Sequence, residues 1–360
     1  MNKYEKELVF ELCKFKDQNR DKLRKLIAKG AATPEVLGQL FFNRLAAMAY
    51  GVLIENSLTD CVSREFRNSL KNAYLLNKKL NENFYKCLNL LDGLLAPYRG
   101  KYALLKGALL CSEYPVGYRT SNDIDILTCP EHISEISESL LAAGFRQGYL
   151  KNGVFTPATR KQIITSKMMR GETVPYIKEV NMPFMKYLEI DINHSLSHKN
   201  EEGDLVAQFI ADAEIIEMDN FNIVTLNRYD FMLHLCQHLY KEATIYPWVR
   251  MKRDMSLYKF CDIYFLLSSY SKEDYEKLLD RAHETSMELP CCYAIYITKE
   301  LFTVESANLA DFITHITPAC DDILNLVIDV ENKKVYQYKN KNMKERFFCK
   351  NRTELLTEVN

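Results

Sequence analysis

Two aspartates two residues apart in an apolar run, Asp123-Ile124-Asp125-Ile126-Leu127, are the residues of this chain best suited to chemistry. Side chains of a strand alternate between faces, so both carboxylates project from one face, about 6.6 Å apart along the chain, while Ile124 and Ile126 enter a core. Two anions that close repel each other, and near-neutral pH leaves both ionised unless a cation compensates. Hard carboxylate oxygens suit Mg²⁺, with Mn²⁺ as a substitute. A second run, Tyr187-Leu188-Glu189-Ile190-Asp191-Ile192-Asn193, alternates in the same way. Its acidic face carries Glu189 and Asp191, and the shorter Asp191 is favoured as a third ligand. A solvated strand edge is the plain alternative, since Asp is usually exposed. Lys106-Gly107, Arg119 and the second acidic strand, in this order, weigh against it.

Three carboxylates from two neighbouring strands, preceded by a glycine turn, meet the needs of in-line nucleotidyl transfer, in which one metal neutralises a triphosphate and a second activates the attacking hydroxyl. The run Leu105-Lys106-Gly107, Tyr114-Pro115, Arg119, Asp123-Ile124-Asp125-Ile126-Leu127 and Gly144-Phe145 resembles the polymerase-beta-like nucleotidyltransferase superfamily, and more closely an uncharacterised bacterial branch of it. The resemblance implies that Asp123 and Asp125 bind metal, that Asp191 is the third carboxylate, and that all three are catalytic. It places Gly107 at the turn beside the triphosphate and adds Lys106, Arg119 and Ser121 to the nucleotide-binding set. Ala108 stands where many relatives carry a phosphate-contacting Ser, and the interval from Gly107 to Asp123 is longer than usual.

Composition fits a cytoplasmic enzyme. The 360 residues are enough for two or three domains, and 47% hydrophobic residues exclude a disordered tail protein. Forty-seven basic against 48 acidic residues give no global attraction to nucleic acid. Eleven cysteines, without a C-x-x-C, read as small buried hydrophobes of a reducing compartment. The chain begins without an apolar signal region, and no apolar run reaches the roughly 18 residues of a membrane span.

Patterning divides the chain into a helical region over 1–98, a region of strands mixed with helices over 99–226 and a helical region over 227–360, an α+β architecture, and the resemblance implies that the middle part is a mixed-sheet nucleotidyltransferase core. In the first, apolar residues recur at helical spacing up to Gly30, and Thr33-Pro34 supplies an N-cap and first turn for the next helix. In the second, Tyr102–Lys106 is a short strand, Gly107 opens a helix whose amides can face phosphate, and 131–143 form a helix. Residues 145–150 read as a strand, 151–170 as a basic and polar stretch that either grips an acceptor or nucleotide or forms a mobile loop, and 174–180 with 188–193 as a hairpin. Helices are expected at 231–240, 254–268 and 272–303.

His234, His238 and Lys241 fall at i, i+4 and i+7 on one helix face. Zinc is a weak reading, because a protease-type H-x-x-x-H needs a Glu directly after the first His. Hydrogen bonding of one His is a second reading. The third, in which His238 and Lys241 contact the nucleotide, agrees with a His and a basic residue at this place in the resembled branch. Arg250, Lys252 and Arg253 extend a positive rim or, by default, form a solvated charged turn, and His194 and His198 follow the acidic strand closely, His194 either lining the site or, as the favoured reading, lying at the surface. The expected activity is Mg²⁺-dependent transfer of NMP from an NTP, with pyrophosphate release, to a small molecule, peptide or protein in preference to long nucleic acid. Rival readings are a catalytically silent nucleotide-binding regulatory or toxin–antitoxin module of the same fold, and a zinc hydrolase built on His234 and His238.

Overall fold

The computed structural model describes residues 1–169, 171–196, 203–302, 307–316, 323–340 and 342–359. Five helices come first: α1 (Lys3–Glu11), α2 (Arg20–Ala28), α3 (Pro34–Phe42), α4 (Ala46–Glu55) and α5 (Arg64–Leu95). Then follow β1 (Tyr102–Leu104), α6 (Gly107–Glu113), β2 (Asp123–Thr128), α7 (Ile133–Ala142), β3 (Arg146–Lys151), β4 (Val154–Pro157) and α8 (Arg160–Met169). The sheet region closes with β5 (Tyr176–Met182), β6 (Met185–Asn193), α9 (Gly203–Ala211), β7 (Glu214–Glu217) and β8 (Asn222–Thr225). Helices return as α10 (Arg228–Thr244), α11 (Tyr246–Arg250), α12 (Leu257–Leu267), α13 (Lys272–Glu284), α14 (Glu288–Phe302) and α15 (Ala307–Ile316). Last come β9 (Leu326–Asp329), β10 (Lys334–Tyr338), α16 (Met343–Phe348) and β11 (Leu356–Val359).

Contacts group the chain into two compact units, 1–71 with 232–360, and 72–231. These boundaries fall inside α5 and α10, so they differ from the expected breaks at 98 and 226. Most of α5 joins the sheet unit because its lower half supplies Phe84, Leu88, Leu91 and Leu95 to that unit's core.

In the 72–231 unit one sheet runs β4-β3-β5-β6-β2-β1-β8-β7. Only β2–β6 and β1–β8 are parallel among its neighbouring pairs. Ile124 and Ile126 of β2 and Leu188, Ile190 and Ile192 of β6 are buried with the α5 residues and with Ile133, Ile136 and Leu140 of α7. The alternation read from sequence thus sorts each strand into an apolar face under helices and an acidic face opposite. The 174–193 hairpin forms as β5 and β6. Residues 151–170 are a correction: β4 pairs with β3 and α8 follows, because the turn at Asn152-Gly153, both at positive φ, closes a hairpin that the basic composition had hidden.

In the other unit Thr33 caps α3 at the Val36 amide with Pro34 in the first turn, as expected. The C-terminal part is not wholly helical. β9, β10 and β11 form a three-stranded sheet around Val327 and Tyr338, which pack with Val249 of α11. The expected helix over 272–303 breaks between α13 and α14, where Ser286 takes a positive φ. A buried Asp254–Arg352 pair, bidentate at 2.6 Å for both contacts, ties the chain end to the segment before α12.

The division of β6 into two faces carries a stability prediction. Ile190→Ala, which empties a fully buried site, should cost about 2–5 kcal/mol in urea denaturation. Glu189→Gln, on the opposite face, should not destabilise the protein.

Candidate active site

The acidic site is built by strand register. β2 and β6 run side by side with Asp123 beside Glu189 and Asp125 beside Asp191. Directly paired residues share a face and neighbouring strands lie about 4.8 Å apart, so four carboxylates occupy a patch two strands wide and two rows deep. Asp125 is buried, Glu189 and Asp191 are half-buried, and Asp123 is exposed. Burial first, then the charges of Asp125, Glu189 and Asp123, hold the Asp191 carboxyl well above the ordinary carboxylate range. Burial and the two aspartates of β2 also push Glu189 up.

Lys106 answers part of this charge. Lys106 Nζ donates to Asp125 Oδ1 at 2.9 Å. Burial alone would lower the Lys106 pKa, but Asp125, with Asp123 and Asp191 behind it, outweighs that penalty and raises it. The side chain reaches its partner from a backbone with φ +46°, at the start of α6. A residue bearing a Cβ is held in such a conformation at a cost of roughly 1–3 kcal/mol, which a surrounding structure must over-determine. Leu105, the residue before it, is anchored by its amide to the Asp125 carbonyl at 2.9 Å.

The loop after α6 fixes Asp123. Ser121 Oγ donates to Asp123 Oδ1 at 2.8 Å. Gly107 makes room for that serine, since a Cβ at 107 would stand 2.5 Å from both Ser121 Cβ and Oγ. Arg119 turns its guanidinium to the Thr120 carbonyl. Two asparagines one turn apart on α5 clasp the same loop. Asn81 donates to the Arg119 carbonyl at 2.8 Å and accepts from the Gly117 amide at 2.9 Å, and Asn77 donates to the Gly117 carbonyl at 3.1 Å. Asn193 Nδ2 adds a contact of 3.4 Å to Asp125 Oδ1.

The structure therefore brings Lys106, Gly107, Ser121, Asp123, Asp125 and Asp191 together, with Arg119 on the same loop, and adds Glu189 and Asn193. Asn77 and Asn81 escaped the sequence reading because their partners lie 36 to 40 residues away. Their i, i+4 spacing on a helix is the one trace they leave. His238 and Lys241 belong to α10 in the other unit, where His238 Nε2 lies 3.8 Å from Glu242 Oε1 and its ring centroid 6.3 Å from that of His234. His194 follows β6 and, in correction of the surface reading, is buried, which lowers its pKa. His198 lies outside the described residues.

The donor set has the chemistry of a hard divalent cation site, all carboxylate oxygen with excess negative charge. In the present side-chain positions, no group of three or more His, Cys, Asp or Glu residues among those described is arranged to hold a metal ion. The Lys106 ammonium occupies Asp125 Oδ1.

A family model described as an uncharacterised nucleotidyltransferase matches residues 30–303, which span the acidic site and parts of both units. No curated protein matches the chain.

The raised Asp191 pKa fixes the sign of a pH effect. Its folded-state pKa lies above the unfolded value, so ionisation opposes folding, and the stabilising contribution present at low pH is lost as pH rises through the raised pKa. Asp191→Asn should therefore raise the thermal midpoint of the divalent-free protein at neutral pH, by an amount that disappears below about pH 4, where unfolded carboxyls are also protonated. Thermal scans across pH with chelator present read this out.

Proposed function

The chain belongs to this family of uncharacterised nucleotidyltransferases, and we propose that its acidic face transfers an NMP group from an NTP to an acceptor hydroxyl. The observation that carries this reading is the register of β2 and β6, which sets Asp123 and Asp125 beside Glu189 and Asp191 with Lys106 at their border. Phosphoryl chemistry of this kind asks the protein for position and compensating charge more than for covalent catalysis.

Asp123, Asp125 and Asp191 would hold Mg²⁺ or Mn²⁺. When bound, such ions supply Lewis-acid stabilisation of phosphate oxygens and lower the pKa of an attacking hydroxyl. Lys106 then exchanges its contact with Asp125 for the triphosphate, bringing a charge that the carboxylates already keep protonated. Ser121 holds Asp123 in one rotamer so that its free oxygen faces the reacting centre. The acceptor oxygen forms a bond to the α-phosphorus, the bond from that phosphorus to the β-phosphate oxygen breaks, and pyrophosphate leaves. Asp191 receives the acceptor proton. Arg119 is a further candidate for a nucleotide contact.

The test is to incubate the protein with each α-labelled NTP, Mg²⁺ and a cell extract, and to follow pyrophosphate release and the labelled product. Label should pass to an acceptor with one of the nucleotides. Asp123→Asn and Asp125→Asn should each lower the rate at least about 100-fold, a loss of about 2.7 kcal/mol of transition-state stabilisation. Neither side chain belongs to the apolar face, so both variants should remain folded by circular dichroism. Tight nucleotide binding without pyrophosphate release would instead favour a silent binding module.

A further inference from the structure

The acidic face does not end at β6. Pairing continues the row of Asp123 and Glu189 through Ile177 of β5 to Arg146 of β3. Residues paired in this way share one face, so Arg146 stands on the carboxylate side of the sheet, two strands and about 10 Å from Glu189. Ile177, 2% exposed, lies between them. Lys106 borders the same carboxylates from the other side, next to β1. It is consumed by Asp125, whereas Arg146 is exposed and no carboxylate among the described residues pairs with it.

The Arg146 guanidinium is held in place. It lies over the Phe155 ring at 4.3 Å from the centroid. The ring in turn rests against Gly148, where a Cβ would come within 2.6 Å of it. Phe155 faces the same side as Gly148 because its neighbour across the hairpin is Leu150, two residues along β3. A planar cation stacked on an aromatic face keeps its N–H edge directed outward in a fixed fork, which matches a carboxylate or phosphate.

We infer that Arg146, backed by Phe155 and Gly148, is the subsite for an anionic group on the acceptor, which is a small molecule carrying a carboxylate or phosphate remote from the hydroxyl that attacks. This rests on the nucleotidyl-transfer reading. With Lys106 and the α6 turn on the β1 side drawing the triphosphate, in-line attack brings the acceptor from the opposite side of the α-phosphorus, and that is the side on which β5, β3 and β4 extend the sheet.

The experiment uses the full-length protein with α-labelled NTP, Mg²⁺ and, in parallel, the small-metabolite filtrate and the retained macromolecules of one cell extract. The labelled product should appear in the filtrate, and mass spectrometry should find in its acceptor part a carboxylate or a phosphate, which separates the two sources. Arg146→Ala should lower the filtrate dilution at which transfer is half-maximal by about ten- to a hundred-fold, that is, require that much more acceptor, as expected for loss of a charge-assisted contact. Arg146→Lys should recover part of this. Phe155→Leu, which keeps the apolar packing, should show a smaller defect of the same kind. Affinity for a non-hydrolysable NTP, measured by calorimetry, should be the same in wild type and Arg146→Ala, and thermal midpoints confirm folding. An acceptor without an anionic group, label confined to macromolecules, or unchanged acceptor dependence in Arg146→Ala would overturn the subsite while leaving nucleotidyl transfer standing. No label in either fraction with any NTP would overturn the transfer reading itself, and the subsite with it.

Discussion

Four carboxylates set side by side by one parallel strand pair, with the Lys106 ammonium against Asp125, are the constraint on which the acidic site depends. Asp123, Asp125, Glu189 and Asp191 cannot move apart without breaking the β2–β6 register, and that register is fixed by the isoleucines and leucines buried on the reverse face. A one-residue slip would turn the acids into the core and the apolar residues outward, so hydrophobic burial is what holds like charges together. The strain is visible in the raised basicity of Asp191 and Glu189 and in the unusual backbone of Lys106.

Around this centre the positioning contacts form a chain that ends on α5. Asn77 and Asn81 hold the 117–119 backbone, the loop presents Ser121, Ser121 orients Asp123, and Gly107 leaves the space that Ser121 needs. The glycine that sequence reasoning placed at a triphosphate thus has a packing reason within the protein as well. Each link is a short polar contact to backbone or to a small side chain, which fixes geometry at little cost in side-chain entropy.

How much of this was legible in the sequence follows from the range of each interaction. Asp123 and Asp125 could be placed on one face because strand alternation is local, and the acidic face of Glu189 and Asp191 could be read for the same reason. That β2 and β6 are adjacent and parallel, with Asp125 beside Asp191, depends on contacts more than 60 residues apart, and no periodicity encodes it. The Asn152-Gly153 turn was present in the sequence but was masked by its basic surroundings, so β4 and α8 read as loop. The strands after residue 326 were missed because they are short, four to five residues each, and lie in a segment where helices dominate. Asn81 carried no signal of its own, since an asparagine on a helix is ordinarily a solvated residue.

The account stands on the claim that the carboxylate patch is a charge deficit awaiting divalent cation. Titration of the nucleotide-free protein with Mn²⁺, followed by the loss of the free-ion paramagnetic resonance signal, measures this without any acceptor or turnover. The account predicts saturable Mn²⁺ binding to the wild type, tighter binding when Lys106→Met removes the competing ammonium, and loss of the site when Asp125→Asn and Asp191→Asn are combined. Binding that is absent from the wild type, or equal in the wild type and the doubly substituted protein, would contradict it.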